Sequence, residues 1–102
     1  MERTLCLDEI KDAAADLGRR YDVDRVYLFG SYARGEQTAE SDVDLRIDEG
    51  NIGGLFALSG LWLALRERMG KQVDLLTTDS LDETFLKKIQ PEEILLYERE
   101  RP

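Results

Sequence analysis

Residues 28–35 read Leu-Phe-Gly-Ser-Tyr-Ala-Arg-Gly, and after six more residues the chain continues Asp42-Val43-Asp44-Leu45. The first stretch ends an apolar run of strand type, Arg25-Val26-Tyr27-Leu28-Phe29, which Gly30 stops. In the second, Val43, Leu45 and Ile47 alternate with Asp42, Asp44, Arg46 and Asp48, the pattern of a strand with one apolar face. Strand residues two apart project from the same face, about 7 Å apart at Cα, so Asp42 and Asp44 aim at one point. Two converging carboxylates repel unless a cation lies between them. Hard cations prefer oxygen ligands, and magnesium commonly takes one or two carboxylates plus substrate phosphates.

A third acid belongs with this pair. Gln72 to Leu76 reads as a strand with Val73 and Leu75 toward the core, which leaves Asp74 on the opposite face. An Asp among apolar and uncharged strand residues needs a partner. Arg46 and Lys71 are the simple candidates, and a position beside Asp42 and Asp44 on a neighbouring strand is the other. Three carboxylates on one sheet face can hold two metals ~4 Å apart, the clamp for in-line phosphoryl or nucleotidyl displacement. Gly30-Ser31 supplies the complement. Glycine lets the backbone approach a ligand closely, and exposed amides with the Ser31 hydroxyl can grip phosphate oxygens. Each piece alone has an ordinary reading, a solvated strand face or a turn. In this order they describe a phosphate cradle beside a metal site.

The rest of the chain frames that centre. Residues 7–21 predict a helix with Ile10, Ala14, Leu17 and Tyr21 on one face, weakened late by Gly18 and ended by Asp22-Val23-Asp24. Residues 31–41 read as a loop with room for one helical turn. Residues 54–69 predict a helix whose apolar stripe is Leu55, Leu58, Trp62, Leu65 and Met69, with Phe56, Leu61 and Leu63 off it. A helix apolar nearly all round is buried or meets a partner. Ser80-Leu81-Asp82-Glu83 has the form of a capping box opening a helix to about Ile89. Pro91 stops that helix, and Ile94 to Tyr97 reads as a final edge strand. The order, helix-strand-loop-strand-helix-strand-helix-strand, predicts an α/β (α+β) fold: one domain over residues 1–102, a small mixed sheet packed on helices.

Composition closes other routes. The 102 residues carry 22 acidic and 14 basic side chains, a formal charge of −8, with no histidine and one cysteine. Without histidine there is no imidazole base or metal ligand, and with Cys6 alone there is no internal disulfide or thiolate zinc site. Any bound metal then has oxygen ligands. The acidic balance argues against direct nucleic-acid binding through counterion release. The apolar run from Gly53 to Leu65 falls short of the ~20 residues of a membrane span, and the N-terminus has no signal-peptide pattern. The expectation is a cytoplasmic protein without membrane contact. Cys6 reads as a small hydrophobe, and Arg66, Arg68 and Lys71 as the cationic end of a helix.

With ten residues between Ser31 and Asp42, the segment from Gly30-Ser31-Tyr32-Ala33-Arg34-Gly35 to Ser41-Asp42-Val43-Asp44-Leu45 resembles the G-S-x(10)-D-x-D signature of the DNA polymerase β-type nucleotidyltransferase superfamily. Over 7–97 the chain is similar to its minimal nucleotidyltransferases, the MNT antitoxins. The resemblance implies a minimal polymerase β-type fold in which Gly30 and Ser31 hold the triphosphate. It also implies that Asp42 and Asp44 bind two Mg2+ ions, replaceable by Mn2+, and that Asp74 completes the second metal site. Arg34 would contact phosphate, or else fix the loop by pairing with Glu36 or Glu40. Asp74 is the best-placed group to assist deprotonation of an acceptor. The implied substrate is ATP, and the implied partner is a HEPN-domain ribonuclease toxin from the neighbouring gene, with AMP passing to one of its tyrosines and pyrophosphate leaving. The 54–69 helix or the 94–97 strand would meet that partner. Two rival readings remain: an antitoxin acting by binding alone, and a small-molecule nucleotidyltransferase for an aminoglycoside-like acceptor presented by a partner subunit.

Overall fold

The run Arg25–Phe29 (β1) lies inside a four-stranded mixed sheet, flanked on one side by Val43–Asp48 (β2) and on the other by Ile94–Glu98 (β4). Val73–Thr77 (β3) pairs with the far side of β2, giving the order β3-β2-β1-β4. This is a computed structural model, and it describes residues 4–100. β1 runs antiparallel to both neighbours, whereas β2 and β3 are parallel. A parallel pair needs a crossover, and the helix Leu55–Met69 (α3) supplies it. Leu7–Arg20 (α1) precedes the sheet, Ser31–Arg34 (α2) is a single turn after β1, and Glu83–Ile89 (α4) precedes β4.

The alternation read in β2 holds: Val43, Leu45 and Ile47 are fully buried. They join Val26, Leu28 and Val73 in a core with Ile10, Ala14 and Leu17 of α1 and Leu61, Leu65 and Met69 of α3. Each buried side chain of this size contributes about 1.5–3 kcal/mol relative to exposure. Gly18 is more than a weak point in α1, because a Cβ there would lie 2.8 Å from the Tyr97 ring. Glycine lets β4 pack against the helix.

Three local readings need correction. The buried side of α3 is centred on Leu61, Leu65 and Met69, while Leu55 is 77% and Phe56 96% exposed. The first turn after Gly54 stands in solvent, so a stripe counted from Leu55 is rotated off the true contact face. Trp62 instead reaches the edge of β3, where its indole nitrogen donates to the Val73 carbonyl at 2.7 Å. Ser80 does not cap α4. Its hydroxyl donates to the Thr77 carbonyl, and Asp82 is the cap, accepting the Phe85 amide at 2.7 Å. A charged carboxylate three residues ahead of an unsatisfied amide does the work assigned to the serine. Cys6 is exposed. It occupies the residue before α1, where its amide donates to Glu9 and its side chain lies outside the apolar face.

The sheet face away from α1 and α3 is polar and internally paired. Arg46, with a side chain 5% exposed, donates through Nε and Nη2 to both carboxylate oxygens of Glu93 at 2.7 Å. The Tyr27 ring lies 4.0 Å from its guanidinium carbon, and Thr78 accepts from Nη1 at 2.8 Å. Glu93 is equally buried, at 5%. Removing one partner of such a pair strands the other charge in low dielectric, at a cost of about 3–5 kcal/mol. Glu93→Ala is therefore expected to lower unfolding free energy by that amount in urea titrations, while Arg46→Met combined with Glu93→Leu recovers most of it.

Candidate active site

Asp44 and Asp74 face each other across the parallel β2–β3 ladder, directly in register. Parallel register points both side chains to the same face, and the two carboxyls share a hydrogen bond. Burial, then the hydrogen bond to Asp74, then the charges of Asp74 and Asp42 push the Asp44 carboxyl up to about 7, and Arg34 pulls weakly the other way. Asp42 stands just before β2 and is exposed, with the neighbouring Val43 amide bonded to the Gln72 carbonyl at 3.0 Å. The converged pair is thus Asp44 and Asp74, with Asp42 acting on Asp44 through its charge. As they stand, no three acidic side chains among the described residues are gathered tightly enough to enclose an ion. The chemistry of the donor set nevertheless fits a hard divalent cation. All three groups offer oxygen, and a carboxyl that keeps its proton near neutral pH for want of a counter-charge is one a cation would relieve.

The alternative partners for Asp74 are taken. Arg46 is held by Glu93, and the Lys71 ammonium donates to the Ala39 carbonyl at 2.7 Å.

Gly30 packs the turn after β1 directly on Asp44. Its φ of 77° and ψ of −158° are open almost exclusively to glycine, and a Cβ there would run into the Asp44 carboxylate. The Gly30 carbonyl accepts the Ala33 and Arg34 amides at 3.0 and 3.1 Å, which winds α2. Tyr32 is buried and its hydroxyl accepts the Leu5 amide at 3.2 Å, fixing that turn to the core. The Ser31 amide and hydroxyl have no protein partner among the described residues. Arg34 donates to Glu36 at 2.8 Å, one of its two expected partners, and not to Glu40. It also donates to Glu92 at 3.1 Å, and Glu92 accepts the Gly30 amide at 2.5 Å. Sequence reasoning missed Glu92. Its partners lie far upstream, and the available signal was an acidic pair placed directly before a strand.

Two clefts flank the acids. One of about 610 Å3 is bordered by Ser41, Asp42, Leu63, Arg66 and Gln72. The other, about 360 Å3, is bordered by Asp44 and Asp74 together with Phe29, Trp62, Leu75 and Phe85. Phe29 and Phe85 meet edge to face at 6.2 Å, and the Arg66 guanidinium lies 4.7 Å from the Trp62 ring.

Residues 10–102 match the family model for polymerase beta nucleotidyltransferases. A Methanocaldococcus jannaschii protein provisionally named a protein adenylyltransferase is 38% identical over 95 residues, 87% of this chain and 95% of its own length. The protein adenylyltransferase MntA of Thermococcus cleftensis is 34% identical over 89 residues, 83% of this chain and 90% of its own. A solved structure described as a minimal nucleotidyltransferase superposes with a TM-score of 0.76 at 32% identity, covering 86% of this chain and 90% of that one. A toxin–antitoxin crystal structure with AMP-PNP gives 0.74 at 25% identity, over 91% and 75%. The complex of a tri-AMPylated Shewanella oneidensis HEPN toxin with an MNT antitoxin shares the fold, at 0.69 and 19%, over 90% and 72%.

The raised Asp44 carboxyl has a consequence for the metal-free protein. Between the unfolded value of 3.8 and about 7 the folded state keeps a proton that the unfolded chain has lost, so this group's contribution to stability falls as pH rises through that window. Thermal melts in chelator at pH 5 and pH 8 should show a larger drop for wild type than for Asp44→Asn, and the variant should be the more stable of the two at pH 8.

Proposed function

Because the chain belongs to the polymerase β nucleotidyltransferase family, among its minimal members, we propose that it transfers AMP from ATP to a tyrosine hydroxyl of a HEPN-type toxin. The observation that carries this reading is the Gly30 turn pressed against Asp44, which faces Asp74, so that the open donors of Ser31 follow a corner packed on the paired acids. The relatives' names support the activity, since two are named protein adenylyltransferases. The toxin–antitoxin structure with AMP-PNP supports both nucleotide and partner. The acceptor oxygen forms a bond to the α-phosphorus, the bond from that phosphorus to the pyrophosphate oxygen breaks, and pyrophosphate leaves.

Asp42, Asp44 and Asp74 would hold two Mg2+ ions, with Mn2+ an accepted substitute. Bound there, the metal supplies the positive charge that offsets charge building on the α-phosphate and the leaving group. The chain's residues do the rest. The Ser31 amide and hydroxyl would grip the triphosphate, and Arg34 would add a guanidinium to the same oxygens. Asp74, the more exposed of the acid pair, borders the aromatic cleft and would take the proton from the acceptor hydroxyl. Phe29, Trp62 and Phe85 give that cleft walls suited to a phenol ring.

The partner would dock on the first turns of α3. Leu55, Phe56 and Leu63 are exposed apolar side chains of that helix, and a net charge of −8 suits a basic, RNA-binding partner. Among the described residues no helix is long and apolar enough to cross a membrane, and we read the protein as cytoplasmic.

The test is intact mass spectrometry of the neighbouring-gene product after incubation with this protein, ATP and Mg2+. One or more AMP units should appear on a tyrosine, and Asp44→Asn should reduce transfer by orders of magnitude. Ser31→Ala should weaken ATP binding roughly 10- to 150-fold, the contribution of one hydrogen bond to a charged group. Gly30→Val should be worse, through strain and collision with Asp44. An unmodified partner alongside efficient transfer to a small molecule would replace this reading.

A further inference from the structure

The Gln90–Glu92 turn, with Pro91 at its middle, lies between α4 and β4, and Glu92 and the Glu93 that follows it make two anchorages. Glu93 grips Arg46, two residues beyond Asp44 on β2, through a bidentate pair. Glu92 points the other way. One of its oxygens, Oε2, accepts both the Gly30 amide at 2.5 Å and Arg34 Nη1 at 3.1 Å, and Oε1 also lies 3.2 Å from that nitrogen. Its side chain is only 24% exposed. One turn thus ties the acid-bearing strand to the Gly30 corner.

We propose that Glu92 is a positioning residue for the triphosphate, holding the Gly30 corner and Arg34 in the geometry that leaves the donors of Ser31 open. The inference rests on the nucleotidyltransferase reading above. Gly30 turns the chain through a conformation open almost exclusively to glycine, and its amide is one of the groups that α2 leaves without an intrahelical partner. With that amide taken by Glu92, the corner has a fixed direction, and Ser31 presents its amide and hydroxyl with no competing protein partner among the described residues. Arg34 is fixed likewise. Nε is spent on Glu36 and Nη1 on Glu92, which directs the guanidinium and leaves Nη2 without a protein partner among the described residues. A guanidinium held on two sides offers its third to phosphate with little rotamer freedom left to lose. Glu92 touches neither nucleotide nor acceptor in this role and acts through Gly30 and Arg34.

The test compares wild type, Glu92→Ala and Glu92→Gln, as full chains, by calorimetric titration with AMP-PNP and Mg2+ and by thermal melting. Glu92→Ala should raise the dissociation constant about tenfold, with a small fall in melting temperature as the Gly30 amide and Arg34 lose a partner. Glu92→Gln keeps an oxygen for the Gly30 amide and should recover most of the loss. Three results overturn the proposal while leaving the nucleotidyltransferase reading in place. Affinity unchanged in Glu92→Ala removes the role. Tighter binding in Glu92→Ala makes the carboxylate a competitor of the triphosphate. Weaker binding that follows a large fall in melting temperature, with no recovery in Glu92→Gln, makes Glu92 a structural residue only. A wild type that binds no AMP-PNP overturns both.

Discussion

Two carboxylates at facing positions of neighbouring parallel strands repel, and the rest of the centre is arranged around Asp44 and Asp74 being held there. What holds them is the other side of the sheet. Val43, Leu45 and Val73 alternate with the acids and are buried against α1 and α3, so neither strand can turn its carboxylate away without lifting aliphatic side chains into water. Burial of Asp44, reinforced by Asp74 and the charge of Asp42, pushes its carboxyl up to about 7. The position of Asp44 in turn decides the residue at 30, because its carboxylate fills the space where any larger residue would put a side chain.

The remainder of that sheet face follows a different rule. Arg46, Tyr27, Asp48, Glu93 and Thr78 satisfy one another in a network of hydrogen bonds and one ring contact. Further along, Arg25 bridges Asp48 and Glu98 across three strands. The charges of this part of the face are thereby paired, whereas Asp42, Asp44 and Asp74 at its end have no lysine or arginine bonded to them among the described residues. Carboxylates left without a bonded cation, beside a network whose other charges are paired, mark a place where something from outside supplies the balance.

The sequence made the strands, the long helices and the Gly30-to-Asp44 segment legible because each is governed by periodicity or by a short fixed spacing. The partnership of Asp74 with Asp44 was also within reach, since two strands of the same alternation that lie side by side must present their acids together. What escaped was set by distant contacts. Which stripe of α3 is buried depends on where the helix crosses the sheet, and its uniform apolarity gave no phase to read. Asp82 outranked Ser80 as a cap because the chain had already turned at 78–80, a geometry that a four-residue pattern does not encode. Glu92 and Glu93 escaped for the same reason: the acidic pair before the last strand is visible, but its partners Gly30, Arg34 and Arg46 lie far upstream.

The central place of β1 also shapes how the chain assembles. Arg25 pairs with Asp48 on one side, 23 residues away, and with Glu98 on the other, 73 residues away. The near pairing closes a short loop and the far one a long loop, so β2 reaches β1 at a lower entropic cost than β4 does. Until β4 docks, Val26, Tyr27, Leu28 and Phe29 present an open row of backbone donors and acceptors, with Arg25 the sole charge on the strand. Such an edge is a template for another molecule's strand. Refolding at high concentration therefore sets the docking of β4 in competition with self-association, and the last strand in the sheet is what keeps the first one from finding a copy of itself.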